Sequence, residues 1–325
     1  MRLLEVKDLK TYFTTSKGKA KAVDGVSFSL DYGQCLGLVG ESGCGKTTTA
    51  LSICHLLPKE GKVESGQILM EGIDYGTLSE EEIMKHRWED VSIIFQGAMN
   101  AFNPVKKVGW QIAEACILHQ GMSKEEAWKR AGDLFEMVGI ARERVSQYPH
   151  EFSGGMKQRA MIAMALACNP KLIIGDEPTT ALDVMIQAQI LELLEKLRKE
   201  LNMGMILITH DLSILSETCD KIAVMYAGKI AEMGTVDDIF NHPMHPYTKK
   251  LLACFPNISS GSRVIPEGIP GYPPSLIDPP EGCRFCPRCS EASGICSEKE
   301  PEYIQAGPEH FVSCHLCREG GEYHG

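Results

Sequence analysis

The apolar positions of this chain change period several times, and each change marks an element. Val26–Leu30 and Gln34–Val39 read as strands around an Asp31-Tyr32-Gly33 turn. A glycine-rich loop follows, then a helix from Lys46 to about Leu57, with Gln67–Leu69 and Val91–Phe95 as short strands beyond it. From Val108 to Val138 the period becomes helical: Ile112, Ala115 and Cys116, then Ala127, Leu134, Phe135 and Val138 recur at three- and four-residue steps. A helix over Gly155–Ala167 precedes an apolar strand, Lys171–Asp176. A long helix then runs from about Leu182 to Leu201, and a further strand spans Met205–Thr209. Ile222–Tyr226 and Lys229–Met233 make a hairpin around Ala227-Gly228. Strands alternating with helices around an inserted helical block predict an α/β core carrying a helical subdomain. After Phe255 the composition shifts, and Pro256–Pro280 is rich in Pro, Gly and Ser, as in a linker or an extended wrap.

Composition and charge narrow the classes. The 325 residues suffice for one large domain plus a small one, or two medium ones. A net charge of −10 disfavours non-specific nucleic-acid binding. No apolar run approaches the roughly 18 residues of a membrane span, and Met1–Lys7 alternates like a strand rather than a signal peptide; the expectation is a cytoplasmic protein. Of thirteen cysteines, seven are scattered, as small buried apolar residues often are, whereas six fall within Cys283–Cys317.

Three segments carry chemistry. Gly40-Glu41-Ser42-Gly43-Cys44-Gly45-Lys46-Thr47 fits G-x-x-x-x-G-K-[ST], with Thr48 next in line. Its glycines let backbone N–H groups curl around phosphate, Lys46 neutralises charge, and the Thr47 hydroxyl meets Mg²⁺. The strand ending in Asp176-Glu177 delivers two carboxylates: Asp176 to hold Mg²⁺ through water, and Glu177 to act as general base on the attacking water. Phe152-Ser153-Gly154-Gly155-Met156 opens a helix with outward-facing N–H groups, a second anion site. Gln96 follows a strand and could touch Mg²⁺ or the water, and His210 follows another and could meet the γ-phosphate. Asp183 stands at the start of the long helix, where an acid is also favourable for the helix itself.

In this order the motifs resemble the ABC ATPase family over about residues 1–255: phosphate loop Gly40–Thr47, Q-loop Gln96, signature Ser153–Met156, Asp176-Glu177, D-loop Ala181–Asp183 and switch His210. The resemblance implies a P-loop NTPase core with an antiparallel β subdomain and an inserted helical subdomain at about 97–160. It also implies ATP and Mg²⁺ as cofactors, with Mg²⁺ held through Thr47, Gln96 and Asp176. An aromatic should stack on adenine, at Phe13 with Tyr12 as rival. Two such domains would close head-to-tail on two ATP, so that Ser153, Gly154, Gly155, Met156 and Asp183 act on the partner's nucleotide. Met156 replaces the commoner Gln of the signature, which leaves the backbone contacts intact.

The C-terminal segments His242–Lys249, Gly268–Pro274 and Gly282–Cys289, together with Asn100–Pro104, resemble the dipeptide/oligopeptide importer branch of that family. That branch implies a second ATPase subunit, usually different from the first, two integral-membrane permease subunits, and an extracytoplasmic peptide-binding protein. The chain would sit at the cytoplasmic face of the membrane, with Phe102, Val105 and Trp110 either lining a groove for a permease helix or simply filling the core. Nickel and oligosaccharide importers share this tail, and a soluble ABC ATPase with an iron–sulfur sensor is a rival of another class. Residues 256–325 then form a small Cys-rich extension. Within it, Cys283, Cys289, Cys296 and Cys314 match the branch's pattern and imply a [4Fe–4S] cluster; Cys283, Cys286, Cys314 and Cys317 would instead make a four-Cys Zn²⁺ site.

Overall fold

The computed structural model describes residues 2–97, 101–180, 182–254 and 268–317, so Asn100, Ala181 and much of the Pro/Gly-rich linker lie outside the described residues. In chain order the strands are β1 (Arg2–Thr15), β2 (Gly18–Asp31), β3 (Cys35–Val39), β4 (Gly61–Met70), β5 (Ile73–Asp74), β6 (Val91–Ile94), β7 (Leu172–Asp176), β8 (Gly204–Ile208), β9 (Lys221–Tyr226), β10 (Lys229–Thr235), β11 (Ile304–Gln305) and β12 (Phe311–Val312). The helices are α1 (Lys46–Ile53), α2 (Glu80–His86), α3 (Val108–Gln120), α4 (Lys124–Met137), α5 (Gly154–Ala165), α6 (Val184–Leu201), α7 (Leu212–Thr218), α8 (Val236–Asn241), α9 (Pro246–Ala253) and α10 (Gly294–Glu298). None of the described helices is long and apolar enough to cross a membrane.

The chain divides into two compact units: Met1–Leu4, Ser29–Cys35 and Leu69–Ile208 form one, and Glu5–Phe28, Leu36–Ile68 and Thr209–Gly325 the other. In the first, β6, β7 and β8 run parallel, with Ile93 opposite Ile174 and Ile174 opposite Ile206. Every residue of β7 and β8 is buried, as expected where helices cover both faces of a parallel sheet and the strands become continuous apolar runs. The helical pattern over Val108–Val138 resolves into two helices. Gly121 ends α3 in the left-handed region at φ 63°, and a Ser123/Glu126 capping box starts α4.

In the second unit β3 pairs parallel with β9, placing Val39 opposite Val224, and β9 turns back into β10. Ala227 (φ 46°) and Gly228 (φ 87°) form the two-residue turn, both left-handed as a type I′ hairpin requires. The C-terminal segment extends this antiparallel pairing: β12 adds to β10, with Glu232 opposite Val312, and β11 adds to β12. Its own apolar cluster is small, Ala306, Val312 and Cys317 against Met244, Ile304 and Cys314. A ring cluster supplements it, with Tyr226 4.6 Å from Tyr247 and 5.2 Å from Phe285, centroid to centroid. The fully buried Glu232 carboxylate accepts the Met244 and His245 amides at 2.7 and 2.9 Å and meets His310 Nε2 at 2.7 Å. A buried charge is tolerable there because its acceptor sites are occupied.

The end of α1 corrects the sequence expectation. Helix α1 ends at Ile53 rather than near Leu57, because His55 takes a left-handed φ of 51° and Pro58 disfavours helical backbone at Leu57.

Candidate functional site

The phosphate loop connects β3 to α1, and its shape depends on glycine. Gly40, Gly43 and Gly45 have φ of 149°, 78° and 108°. A Cβ on Gly40 would lie 2.1 Å from the Met225 carbonyl oxygen, and one on Gly45 2.3 Å from that of Ala22. No side chain caps the first turn of α1, leaving its amide donors to the loop's concavity. The buried Lys46 ammonium donates to the carbonyls of Gly40 at 2.6 Å and Glu41 at 3.1 Å, and lies 3.6 Å from Cys44 Sγ. Those are weak substitutes for phosphate oxygens, which the same ammonium can bind as a charge pair. Burial raises the Cys44 thiol's pKa, so this cysteine is a packing residue of the loop. Thr47 is exposed and Thr48 half-buried.

The carboxylate pair ends β7. Asp176 is buried, whereas Glu177 leaves the strand with a left-handed φ of 48° and donates its amide to the Ile208 carbonyl at 2.9 Å. That conformation is uncommon for a residue with a Cβ and aims the side chain out of the sheet. Two donors meet one of its oxygens: Gln96 Nε2 at 2.7 Å and Thr180 Oγ1 at 2.9 Å, both on Oε2. Gln96, expected at Mg²⁺ or water, is therefore placed on the general-base candidate itself. Thr180 was not foreseen; its position three residues after Glu177 was the available signal. His210 is exposed, two residues beyond β8.

Ser153 is the N-cap of α5, its Oγ accepting the Met156 amide at 3.4 Å, with Gly154 and Gly155 opening the helix. A Cβ on Gly155 would sit 3.0 Å from Ile186. Asp183 caps α6, accepting the Ile186 amide at 3.0 Å.

Comparison with known proteins gives the family of the chain. The family model described as ABC transporter matches residues 23–180, and the one described as oligopeptide/dipeptide transporter, C-terminal region, matches residues 231–296. The oligopeptide transport ATP-binding protein OppD of Bacillus subtilis is 51% identical over 97% of this chain and 89% of its own. The dipeptide transport ATP-binding protein DppD of the same organism is 47% identical over 99% of this chain and 97% of its own. This chain belongs to the ABC transporter ATP-binding family. Among solved structures, a dimeric ATP-binding cassette in a post-hydrolysis state with ADP and phosphate bound superposes with a TM-score of 0.64 at 27% identity, covering 72% of this chain and 98% of that one. The cbiO1 protein of Clostridium perfringens, part of the ABC transporter complex cbiONQ, gives 0.63 at 29% identity, covering 74% and 91%. The fold is thus that of an ABC ATPase, a P-loop nucleotide-hydrolysing enzyme with mixed α/β sheets.

In this ABC ATPase the adenine-stacking candidates have different surroundings. Tyr12 Oη donates to Asp24 at 2.6 Å, and burial together with that bond raises its pKa. The Phe13 ring packs over Gly61, where an added Cβ would lie 2.8 Å from it. Of the groove candidates, Phe102 is buried, Val105 is 80% exposed, and Trp110 lines an open cleft of about 500 Å³ with Trp128 and Arg142.

The cysteine-rich segment departs from expectation. Among the described residues, no three Cys, His, Asp or Glu side chains are drawn together closely enough to hold a metal ion. Neither the [4Fe–4S] set Cys283, Cys289, Cys296 and Cys314 nor the Zn²⁺ set with Cys286 and Cys317 stands preassembled. The Cys314 thiol bonds to Cys317, raising its own pKa and lowering its neighbour's, and Cys296 Sγ lies 3.4 Å from Ser293 Oγ. The thiols nonetheless sense one another. Burial, with Cys314 and Cys296 nearby, pushes Cys283 up to about 11, and the same causes raise Cys289.

Unforeseen as well were two arginines of this segment. Arg284 pairs with Asp24 and donates to the Ala227 carbonyl. Arg288 reaches Glu41 of the phosphate loop.

Proposed function

We propose that this ATPase is the subunit that powers import of dipeptides or oligopeptides through a membrane permease, assembled with two permease subunits, an extracytoplasmic peptide-binding protein and a second, different ATPase subunit. The observation that carries the cargo class is the match of residues 231–296 to the oligopeptide/dipeptide transporter C-terminal region, alongside full-length likeness to proteins named for peptide transport. Nothing favours the nickel, oligosaccharide or soluble-sensor alternatives. The domain reading that accompanies it is a nucleotide-binding domain over 1–255, with its helical subdomain at about 97–160, and an extension over 256–325. The working position is the cytoplasmic face of the membrane.

In this proposal the loop Gly40–Thr48 cradles the phosphates and Lys46 exchanges two loop carbonyls for phosphate oxygens. Mg²⁺, when bound, would be held by Thr47, Gln96 and Asp176 and would offset phosphate charge. Glu177 takes the proton of the attacking water; Gln96 and Thr180, both donating to its Oε2, orient the carboxylate. His210 donates toward the γ-phosphate, and Phe13, or Tyr12, stacks on adenine. Ser153–Met156 and Asp183 serve the partner subunit's nucleotide, and closure of the pair on two ATP moves the permease. Most of the rate enhancement is positioning and electrostatics rather than covalent chemistry.

The Glu177→Gln variant tests the assignment. It should bind ATP normally yet lose steady-state hydrolysis by at least ~10²-fold; near-normal turnover removes Glu177 as the base. Transport of labelled peptides by the co-purified membrane complex, against nickel and oligosaccharide, tests the cargo.

The finer reading of the tail is that Cys283, Cys289, Cys296 and Cys314 bind a [4Fe–4S] cluster outside the hydrolytic chemistry. Its support is the electrostatic proximity of those thiols.

A further inference from the structure

Glu41 is an unexpected residue in a loop built to hold anions. It occupies a position whose side chain the phosphate-binding pattern leaves open, and it adds a carboxylate to a segment whose amides and Lys46 serve phosphate. Its three polar groups are each held. The amide donates to Tyr247 Oη at 3.0 Å, the carbonyl accepts from Lys46, and the carboxylate is gripped by Arg288. The Arg288 guanidinium forms a two-pronged pair, Nη1 to Oε2 at 2.6 Å and Nη2 to Oε1 at 3.0 Å. Its Nε donates to the Pro270 carbonyl at 2.8 Å, and its Nη groups also reach the Ile269 carbonyl and Tyr226 Oη, both at 3.1 Å. The arginine side chain is only 4% exposed and sits on a short 3-10 turn, Cys286–Arg288, so its position is fixed from both ends.

This geometry cancels the one charge of the wrong sign in the loop. A half-buried, unpaired Glu41 would repel the phosphates of an incoming nucleotide at short range, where screening is weak. Unpairing it would also remove a tether of the loop, since the carboxylate is held by both prongs of Arg288. We infer that Arg288 is a positioning residue for ATP binding: through Glu41 it neutralises and fixes the phosphate loop, so that nucleotide affinity depends on the C-terminal segment. The inference rests on reading Gly40–Thr47 as the ATP site.

Direct ATP titration and steady-state kinetics on the full chain test it, using Arg288→Gln, Glu41→Gln and the double variant. Arg288→Gln should weaken ATP binding and raise KM about tenfold, with kcat at saturating ATP within about twofold, since the arginine touches no reacting atom. Adding Glu41→Gln to Arg288→Gln should restore most of the affinity, because no bare carboxylate then remains. Wild-type affinity in Arg288→Gln overturns the inference, and so does a loss that Glu41→Gln leaves undiminished. Should Arg288→Gln fail to fold by thermal denaturation, Arg288→Lys carries the test. It keeps the charge but not the fork and should raise KM two- to threefold with kcat retained; an unchanged KM overturns the inference. Wild-type protein that does not bind ATP would instead sink the reading of the loop itself.

Discussion

His245 makes the anchoring of the C-terminal segment sensitive to acid, by an amount the structure lets one work out. It is the N-cap of α9: its Nδ1 accepts the Tyr247 amide at 3.0 Å, which requires that nitrogen to be unprotonated. The ring is 3% exposed. Burial pushes its pKa from 6.5 down to about 4; Lys249 works the same way, against Glu232, Glu291 and a hydrogen bond to the Ser313 backbone. Between those two values the unfolded segment binds more protons than the folded one. The stabilisation is therefore complete above pH 6.5 and is lost as pH falls toward 4. Linkage puts the loss at about 2 kcal/mol by pH 5 and about 3 kcal/mol by pH 4. Because a chain this long need not unfold in one step, the readout should be local: hydrogen-exchange protection of the α9 amides, corrected for intrinsic rate. Protection should drop about thirtyfold between pH 7.5 and pH 5. His245→Asn keeps a side-chain acceptor at the cap and removes the titration. It should be less protected at neutral pH, through lost packing, but nearly flat across the same range. Glu232, Glu291 and His310 are common to both proteins, so the difference between them reports on His245. A flat wild-type profile, or an equal fall in His245→Asn, would refute the reasoning.

Two further outcomes are expected. Gly61→Val should displace the Phe13 ring, which an added Cβ meets at 2.8 Å, and weaken ATP binding several-fold with little effect on triphosphate alone; unaltered ATP affinity would pass the adenine-stacking role to Tyr12. Anaerobically purified protein should contain iron and sulfide and absorb in the visible; colourless protein with stoichiometric zinc would favour Cys283, Cys286, Cys314 and Cys317 as ligands, and protein with neither metal would remove the cluster from the proposal.

Much of the nucleotide machinery was legible because its requirements are local. Leu172–Asp176 and Gly204–Ile208 are continuous apolar runs, which identify strands buried on both faces. The phosphate loop announces itself through glycines that no other residue could replace at Gly40 and Gly45. Ala227-Gly228 likewise marks its hairpin. Strand β4 was harder: only Gln67–Leu69 was read, whereas it runs from Gly61 to Met70, because its first seven residues are exposed or half-exposed and carry no buried alternation. Gln96 was found at its place in the chain but not in its contact, since a hydrogen bond to Glu177 spans 81 residues and leaves no periodic trace.

The arginines of the cysteine-rich segment show a different kind of illegibility. Thiols at short spacing drew attention to metal chemistry, and Arg284 and Arg288 lie between them. Yet Gly282–Cys289 contains no acidic residue, and a buried guanidinium requires a carboxylate or a full set of carbonyls. Once that segment packs against the body of its unit, both arginines must find their acids elsewhere, and they do so 260 and 247 residues away, at Asp24 and Glu41. The phosphate loop meanwhile carried a glutamate with no part in phosphate chemistry. Two charges of opposite sign, each unexplained by its own motif, were the signal available in the sequence. What the sequence could not supply was burial, because whether an arginine is solvated or must be paired depends on what folds over it. At 4% side-chain exposure Arg288 is of the second kind, and that single fact turns a residue of the thiol cluster into part of the apparatus that presents the phosphate loop.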